Sequence, residues 1–378
     1  MGALPIGAWM AAALLLAAPG GAQNYEVLYS FGGGADGSIP LASLIRDVAG
    51  NLYSTTLRGG ASDAGTVFKL DPAGHETVLF SFSGGYDGND PVAPVTFGPG
   101  GKLYGTTSYG GARRLGVLFK LNPGGKETVV HSFAGAQGGG APWAGLLQDV
   151  DGSFYGTTRY GGPFGYGVVF KFDSRGRETV LHSFSGGEDG SYPEAPVIRD
   201  AAGNTYGTAE YGGAYGFGVV FKIEPSGKEV TLCNFGAGAD GAFPTTGLAQ
   251  DAAGNLYGTT ESGGIYNAGT VFKLDRSGHE TVLYTFQGRA DGGDPRAGVV
   301  PDGKGNLYGT TFVGGSQAWG TIFKLDAGGR LTTLHAFTGG TDGSSPSAGL
   351  MLGEDGALYG TADGGGSSGN GVVFKLKP

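Results

Sequence analysis

The stretch Asn255–Leu274, NLYGTTESGGIYNAGTVFKL, decides the fold, because its pattern occurs seven times along the chain at a spacing of 51 residues, without insertion or deletion. Its tyrosine returns at Tyr53, Tyr104, Tyr155, Tyr206, Tyr257, Tyr308 and Tyr359, and its Phe-Lys pair runs in the same step from Phe68 to Phe374. A proline keeps the period upstream, from Pro40 to Pro346. A fixed period of this size marks a solenoid, a propeller or an array.

Within one period lie four short runs rich in Val, Leu, Phe, Tyr and Thr. In the first copy they are 41–47, 51–56, 66–70 and 77–82, each bounded by Gly, Pro, Asn or Asp, which is the signature of strands joined by tight turns. Four strands in about 50 residues make one propeller blade. The chain opens on Tyr25–Phe31, which matches Glu76–Phe82 one period later, and closes on Val373–Leu376 without that strand. The expectation is an all-β, seven-bladed β-propeller with four strands per blade, closed by the N-terminal strand pairing into the last blade. Closure removes the sheet edges that an open array would expose. The expected blades are 40–82, 91–133, 142–184, 193–235, 244–286, 295–337 and 346–378 plus 25–31, within a domain spanning 23–378.

Composition supports a packed core despite 81 glycines, since 39 % of the chain is hydrophobic, with 22 Phe and 18 Tyr. A net charge of −9 and the absence of basic runs argue against nucleic acid or an anionic membrane as partner. Residues 1–22 carry an apolar run ending in small residues and read as a signal peptide, although no Lys or Arg precedes that run. A secreted, periplasmic or extracellular location follows, with no membrane span in the mature chain and a monomeric state. The single cysteine, Cys233, cannot form an intramolecular disulfide.

The pattern D-x-x-G-N-L-Y-G-T-T, then G-G, then G-T-V-F-K-L-D and E-T-V-L-Y-S-F, resembles the glycine-rich GloVer (Gloeobacter/Verrucomicrobia) tandem repeat of exported bacterial proteins. The resemblance covers Tyr25–Pro378. It implies an exported bacterial protein and supplies no catalytic residues.

Comparing the seven copies separates scaffold from variation. Asp47–Asn51 and Asp71–Gly74 form short turns that change little between copies, whereas the inter-blade connections and the loops after the second strand vary and share the opposite face. The position after the repeating proline holds Leu41, Val92, Trp143, Glu194, Thr245, Arg296 and Ser347, and these should ring the channel mouth. Nearby loops gather Arg159, Tyr160, Phe164, Tyr166, Tyr211, Tyr215, Phe217 and Trp319. Aromatic rings beside a few polar groups suit a glycan-binding or protein-binding surface. Together with Trp143, Glu194 and Arg296, these are the candidate ligand-binding residues.

An enzyme that cleaves polysaccharides is the rival reading, with Glu194 and Glu210 as its carboxylate pair. A structural surface protein without a small ligand is a third. No cofactor and no metal are expected. The aspartates of the repeated D-G-x-x-P motif, such as Asp87 with Asp90, offer two carboxylates where calcium wants six to eight oxygens. His131, His182 and His335 alternate with aromatics at one position and read as packing. Two further expectations concern the scaffold. The lysines following the repeated Phe should pair with Glu76 and its equivalents across the hairpin. Strand glycines such as Gly105 should receive rings from the next blade.

Overall fold

Each repeat folds into one four-stranded antiparallel sheet, and the computed structural model, which describes residues 24–378, contains seven of them. The expected signal peptide, residues 1–22, lies outside the described residues. In the first blade the strands are Ile45–Arg46, Leu52–Thr56, Thr66–Leu70 and Glu76–Ser81, from the axis outward. The ring closes as the chain ends implied: Asn24–Ser30 pairs with Val372–Lys377, with Tyr25 opposite Leu376 and Val27 opposite Phe374. The Tyr25 ring stacks on His335 at 3.8 Å and its hydroxyl donates to the Asp342 carbonyl.

The innermost strand is much shorter than the sequence suggested. Residues 41–44 run beside the axis, where their carbonyls are satisfied by side chains instead of by a ladder. The Thr55 hydroxyl donates to the Ala93 carbonyl of the next blade at 3.0 Å. Five equivalent bonds run from Thr106, Thr157, Thr208, Thr259 and Thr310. Thr361 donates to Ala42 at 3.1 Å and so joins the seventh blade to the first. The first threonine of each Y-G-T or Y-S-T motif is therefore an inter-blade tie. It also satisfies a buried carbonyl that would otherwise be costly. Small residues face each other at the axis: a Cβ on Gly298 would stand 2.2 Å from the Gly247 carbonyl oxygen.

The core lies between blades. Phe68, Phe119, Phe170 and their equivalents are fully buried, as are the ring residues Phe82, Phe133 and Phe184 that follow the outermost strands. Edge-on pairs such as Phe82 with Phe119, at 5.2 Å, link consecutive blades. The strand glycines do accommodate rings, but not from the next blade. A Cβ on Gly105 would meet Phe119 Cζ at 2.5 Å, and on Gly207 would meet Phe221 Cζ at 2.5 Å. Each ring belongs to the residue directly opposite on the neighbouring strand of the same blade.

The expected Lys–Glu pairs also do not form. Register sets Lys69 opposite Thr77, and Lys171, Lys273, Lys324 and Lys375 lie over the tyrosines of the second strand, Lys375 over Tyr359 at 5.1 Å. Glu76, Glu127 and Glu280 instead press into the seam beside Asp36, Asp87 and Asp240, each with a buried Oε1 that has no hydrogen-bond partner. Burial, then the neighbouring aspartate, pushes each carboxyl up to about 7.

Candidate functional site

The channel mouth is built by a backbone device repeated in every blade. The residue before each proline, Ile39 in the first copy, adopts a left-handed conformation with φ of 52–58° in all seven copies. In the first six blades its carbonyl accepts the amide of the residue just after the second strand: Leu57 to Ile39 at 3.0 Å, Arg159 to Ala141 at 3.0 Å, Glu261 to Phe243 at 3.0 Å. This bond brings two columns of side chains together around the axis. One is the column after the proline; the other is Leu57, Ser108, Arg159, Glu210, Glu261, Phe312 and Asp363. All fourteen residues line a single open basin of about 670 Å³, a volume within the range of small-molecule sites. The paired glycines set its wall: Gly161 has φ +85°, and a Cβ there would stand 2.5 Å from the Gly139 Cα.

The basin has two halves. Leu41, Leu57 and Val92, from the first two blades, give an apolar crescent. Across from it, Arg159 sits beneath Trp143, 4.8 Å from the ring centre, between two carboxyls. Its Nη2 is 3.4 Å from Glu210 Oε2, and its Nη1 abuts Glu194 Oε1. The latter contact is an ion pair, and the buried Arg159 Nε has no hydrogen-bond partner. A second cluster follows on blades five and six. Arg296 lies over Phe312 at 3.7 Å and contacts Asp294 Oδ2 at 2.8 Å and Glu261 Oε1 at 3.4 Å.

Carboxyls in this half titrate high. Burial, reinforced by the charge of the neighbouring Glu210, pushes Glu194 up to about 8. Burial and Asp294 push Glu261 up to about 7. Burial likewise lifts Asp363 to about 7, against the 2.8 Å hydrogen bond that it accepts from Ser347. Burial alone would lower Arg159, but Glu194 and Glu210 hold it above its usual value.

Beside the basin runs an aromatic collar. Tyr160 and Tyr211, 43 % and 39 % exposed, flank Tyr192 with ring centres 5.6 and 6.0 Å apart, and Tyr211 continues to Phe243 at 5.2 Å. Of the candidates from sequence, Trp143, Arg159, Glu194, Arg296 and Glu210 line the basin, and Tyr160 and Tyr211 lie on the collar. Phe164 and Tyr215 project from loop tips, 58 % and 66 % exposed. Tyr166 and Trp319 lie over Gly186 and Gly339 with part of each ring still exposed, and Phe217 packs against Phe243. The sequence reasoning passed over Glu261, Asp294, Asp363, Tyr192 and Phe243. The columns just before the proline and just after the Y-G-T-T run hold all five, and comparing those columns across copies would have found them.

Two further hollows, of about 530 and 660 Å³, lie on the opposite face. Their carboxylates are committed to turns: Asp251 accepts bonds from Asn255 N at 2.9 Å and from the Tyr257 hydroxyl at 3.0 Å. The D-G aspartates do similar work on the near face, Asp36 accepting from Gly32 N at 2.6 Å and from the Tyr29 hydroxyl at 3.0 Å. Among the described residues no group of three or more His, Cys, Asp or Glu is arranged to hold a metal ion.

A closed ring of seven blades with a charged, aromatic-edged basin at one end of its axis defines the class as a β-propeller with an axial-mouth site. The chain belongs to the Gloeobacter/Verrucomicrobia repeat family, which its sequence matches over residues 15–142, 127–302 and 280–378. None of the curated proteins matches the sequence. Among solved structures it is similar to the extracellular domain of a protein described as a one-component system of B. thetaiotaomicron. That match has a TM-score of 0.60 at 11 % identity, covering 94 % of this chain and 40 % of that one. It is also similar to puromycin hydrolase (TM-score 0.56, 13 % identity, 85 % and 50 % covered). A third is a protein described as a 6-phosphogluconolactonase from Bacteroides uniformis (TM-score 0.52, 17 % identity, 78 % and 84 % covered). At these identities the likeness is one of fold. This chain spans less than two thirds of the length of the first two. Among the described residues no helix is long and apolar enough to cross a membrane.

Proposed function

We propose that this chain is an exported propeller that acts as a binding module, and that it holds a carbohydrate chain on the collar of blades three to five, with one end in the axial basin. The observation that carries this reading is the continuity of exposed Tyr160 and Tyr211 with the Trp143–Arg159–Glu194–Glu210 cluster. Flat rings give sugar faces a surface, and buried polar groups below give direction to the hydroxyls. Export is supported by the composition of residues 1–22 and by the extracellular position of one propeller of similar fold.

The cleavage reading has less support. A retaining glycosidase sets its two carboxyls about 5–5.5 Å apart and an inverting one farther still. Glu194 and Glu210 instead both clasp Arg159, which ties the pair to a structural cation. The deciding experiment is a glycan array with the wild type and the Trp143→Ala, Tyr160→Ala, Tyr211→Ala triple variant. Loss of about tenfold or more in affinity for the captured glycans supports the reading, given about 0.5–1.5 kcal/mol per stacked aromatic. Capture of no glycan by the wild type refutes it. Release of reducing sugar from any polysaccharide, abolished by Glu194→Gln, would restore the enzyme.

A further inference from the structure

Three guanidiniums face the channel mouth, and each is already engaged. Arg58 Nη1 is 2.6 Å from Asp90 Oδ1, Arg159 is held by Glu194 and Glu210, and Arg296 by Glu261 and Asp294. Against them stand six carboxyls: Asp90, Glu194, Glu210, Glu261, Asp294 and Asp363. The surplus is not placed at random. Asp363 has only the Ser347 hydroxyl as a side-chain partner and forms no ion pair, whereas each of the other five is set against an arginine. An anionic sugar would have to break an existing pair to reach a guanidinium, and would meet the remaining carboxyls at close range. A compact ammonium, with three donors on a point charge, can be taken up without breaking any pair.

We propose, building on the carbohydrate reading above, that the basin selects sugars carrying protonated amines over their N-acylated or acidic counterparts. The ammonium sits at Asp363, the basin carboxyl that no guanidinium pairs, and the neutral part of the chain lies along the Tyr160–Tyr211 collar. High titration of Glu194, Glu261 and Asp363 agrees with a site short of one or more cations. The apolar crescent of Leu41, Leu57 and Val92 closes the far side, and the charges beside it, Arg58 and Asp90, are already paired with each other.

The test is calorimetric titration of the full chain near neutral pH with three tetrasaccharides: glucosamine, N-acetylglucosamine and galacturonate. The glucosamine oligomer is expected to bind about tenfold or more tightly than the other two, one extra close charge contact in a partly buried site. Asp363→Asn is expected to erase most of that preference, bringing the amine and acetyl forms to within about twofold of each other. The wild-type comparison stands even if the variant fails to fold. Equal affinity for the amine and acetyl forms, or tightest binding of the uronate, overturns the amine selectivity and leaves the carbohydrate reading intact. Binding of none of the three, with an empty glycan array, overturns both.

Discussion

Glu76, Glu127 and Glu280 should make this propeller less stable as pH rises, the opposite of what surface carboxylates usually do. Each sits in a seam with a bare Oε1 and an aspartate nearby, and its carboxyl is displaced from 4.5 to about 7. Between those two values the native state holds protons that the unfolded chain has lost. Stability therefore falls with rising pH across that window and levels off above it. The displacement corresponds to at most about 3.4 kcal/mol per site at 1.36 kcal/mol per pKa unit. These side chains are only partly buried, and solvent screening brings a realistic value to about 1 kcal/mol each. The three sites lie in different blades and share no partner, so their effects should add to about 3 kcal/mol.

The wild-type curve alone will not isolate this effect. His131, His182 and His335 are held low by burial, and their contribution grows as pH rises through the ordinary histidine range. The difference between wild type and the Glu76→Gln, Glu127→Gln, Glu280→Gln triple variant cancels the histidines. Urea denaturation should show the variant more stable by about 3 kcal/mol near pH 8, with little difference near pH 5, and its melting point about 4 °C higher at the upper pH. A variant no more stable than wild type near pH 8, or one with the same advantage at both pH values, would refute the reasoning.

Removing one inter-blade tie by Thr208→Val leaves the Thr246 carbonyl without its 3.0 Å partner in a dry seam and should cost about 1–3 kcal/mol, read by denaturant midpoint. Tyr25→Ala strips the closing strand of its stack on His335 and of its bond to Asp342, and should cost about 2–4 kcal/mol, with earlier hydrogen exchange in Asn24–Ser30 and Val372–Lys377 than elsewhere. Gly258→Val drives a branched side chain into Phe272, whose Cζ would be 2.6 Å from a Cβ there, and should cost about 1–3 kcal/mol, whereas the same change at exposed Gly34, where a Cβ would meet nothing within 4 Å, should be nearly silent.

The period carried the architecture because 51 residues hold four strands, and because the copy missing its outermost strand at the C-terminus is completed by Tyr25–Phe31 at the start. Period alone does not carry direction. Gly105 and Phe119 belong to columns that repeat in step, so spacing cannot say whether the ring comes from the same blade or the next; the cross-strand register decides it. Lys69 and Glu76 fail to pair for the same reason, since register sets Lys69 opposite Thr77 and leaves Glu76 facing the seam. The basin was half legible. Trp143, Glu194 and Arg296 followed from variation after the proline. Glu261 and Asp363 did not, because nothing in the sequence announces that the end of the second strand reaches the same mouth, where Glu261 is held by a bond to the left-handed Phe243.

That left-handed residue bears on how function should be sought in a repeat protein. A non-glycine at positive φ ordinarily points to a functional site, and an isoleucine there is a strong outlier. Here the conformation occurs at Ile39, Ala141 and Ser345 as readily as at Tyr192, Phe243 or Asp294, with φ values a few degrees apart. Strain that is the same in all seven copies belongs to the scaffold: it accompanies the bond that joins the two columns in six blades, whatever side chains they bear. What distinguishes one sector of the mouth is the side chains that the columns carry, apolar at Leu41, Leu57 and Val92 and charged from Arg159 to Asp363. Symmetry supplies the geometry of the basin, and the departures from symmetry supply its chemistry. A substitution at Leu41 or Val92 should therefore alter the fit of a ligand, and one at Glu194, Glu261 or Asp363 its charge selectivity.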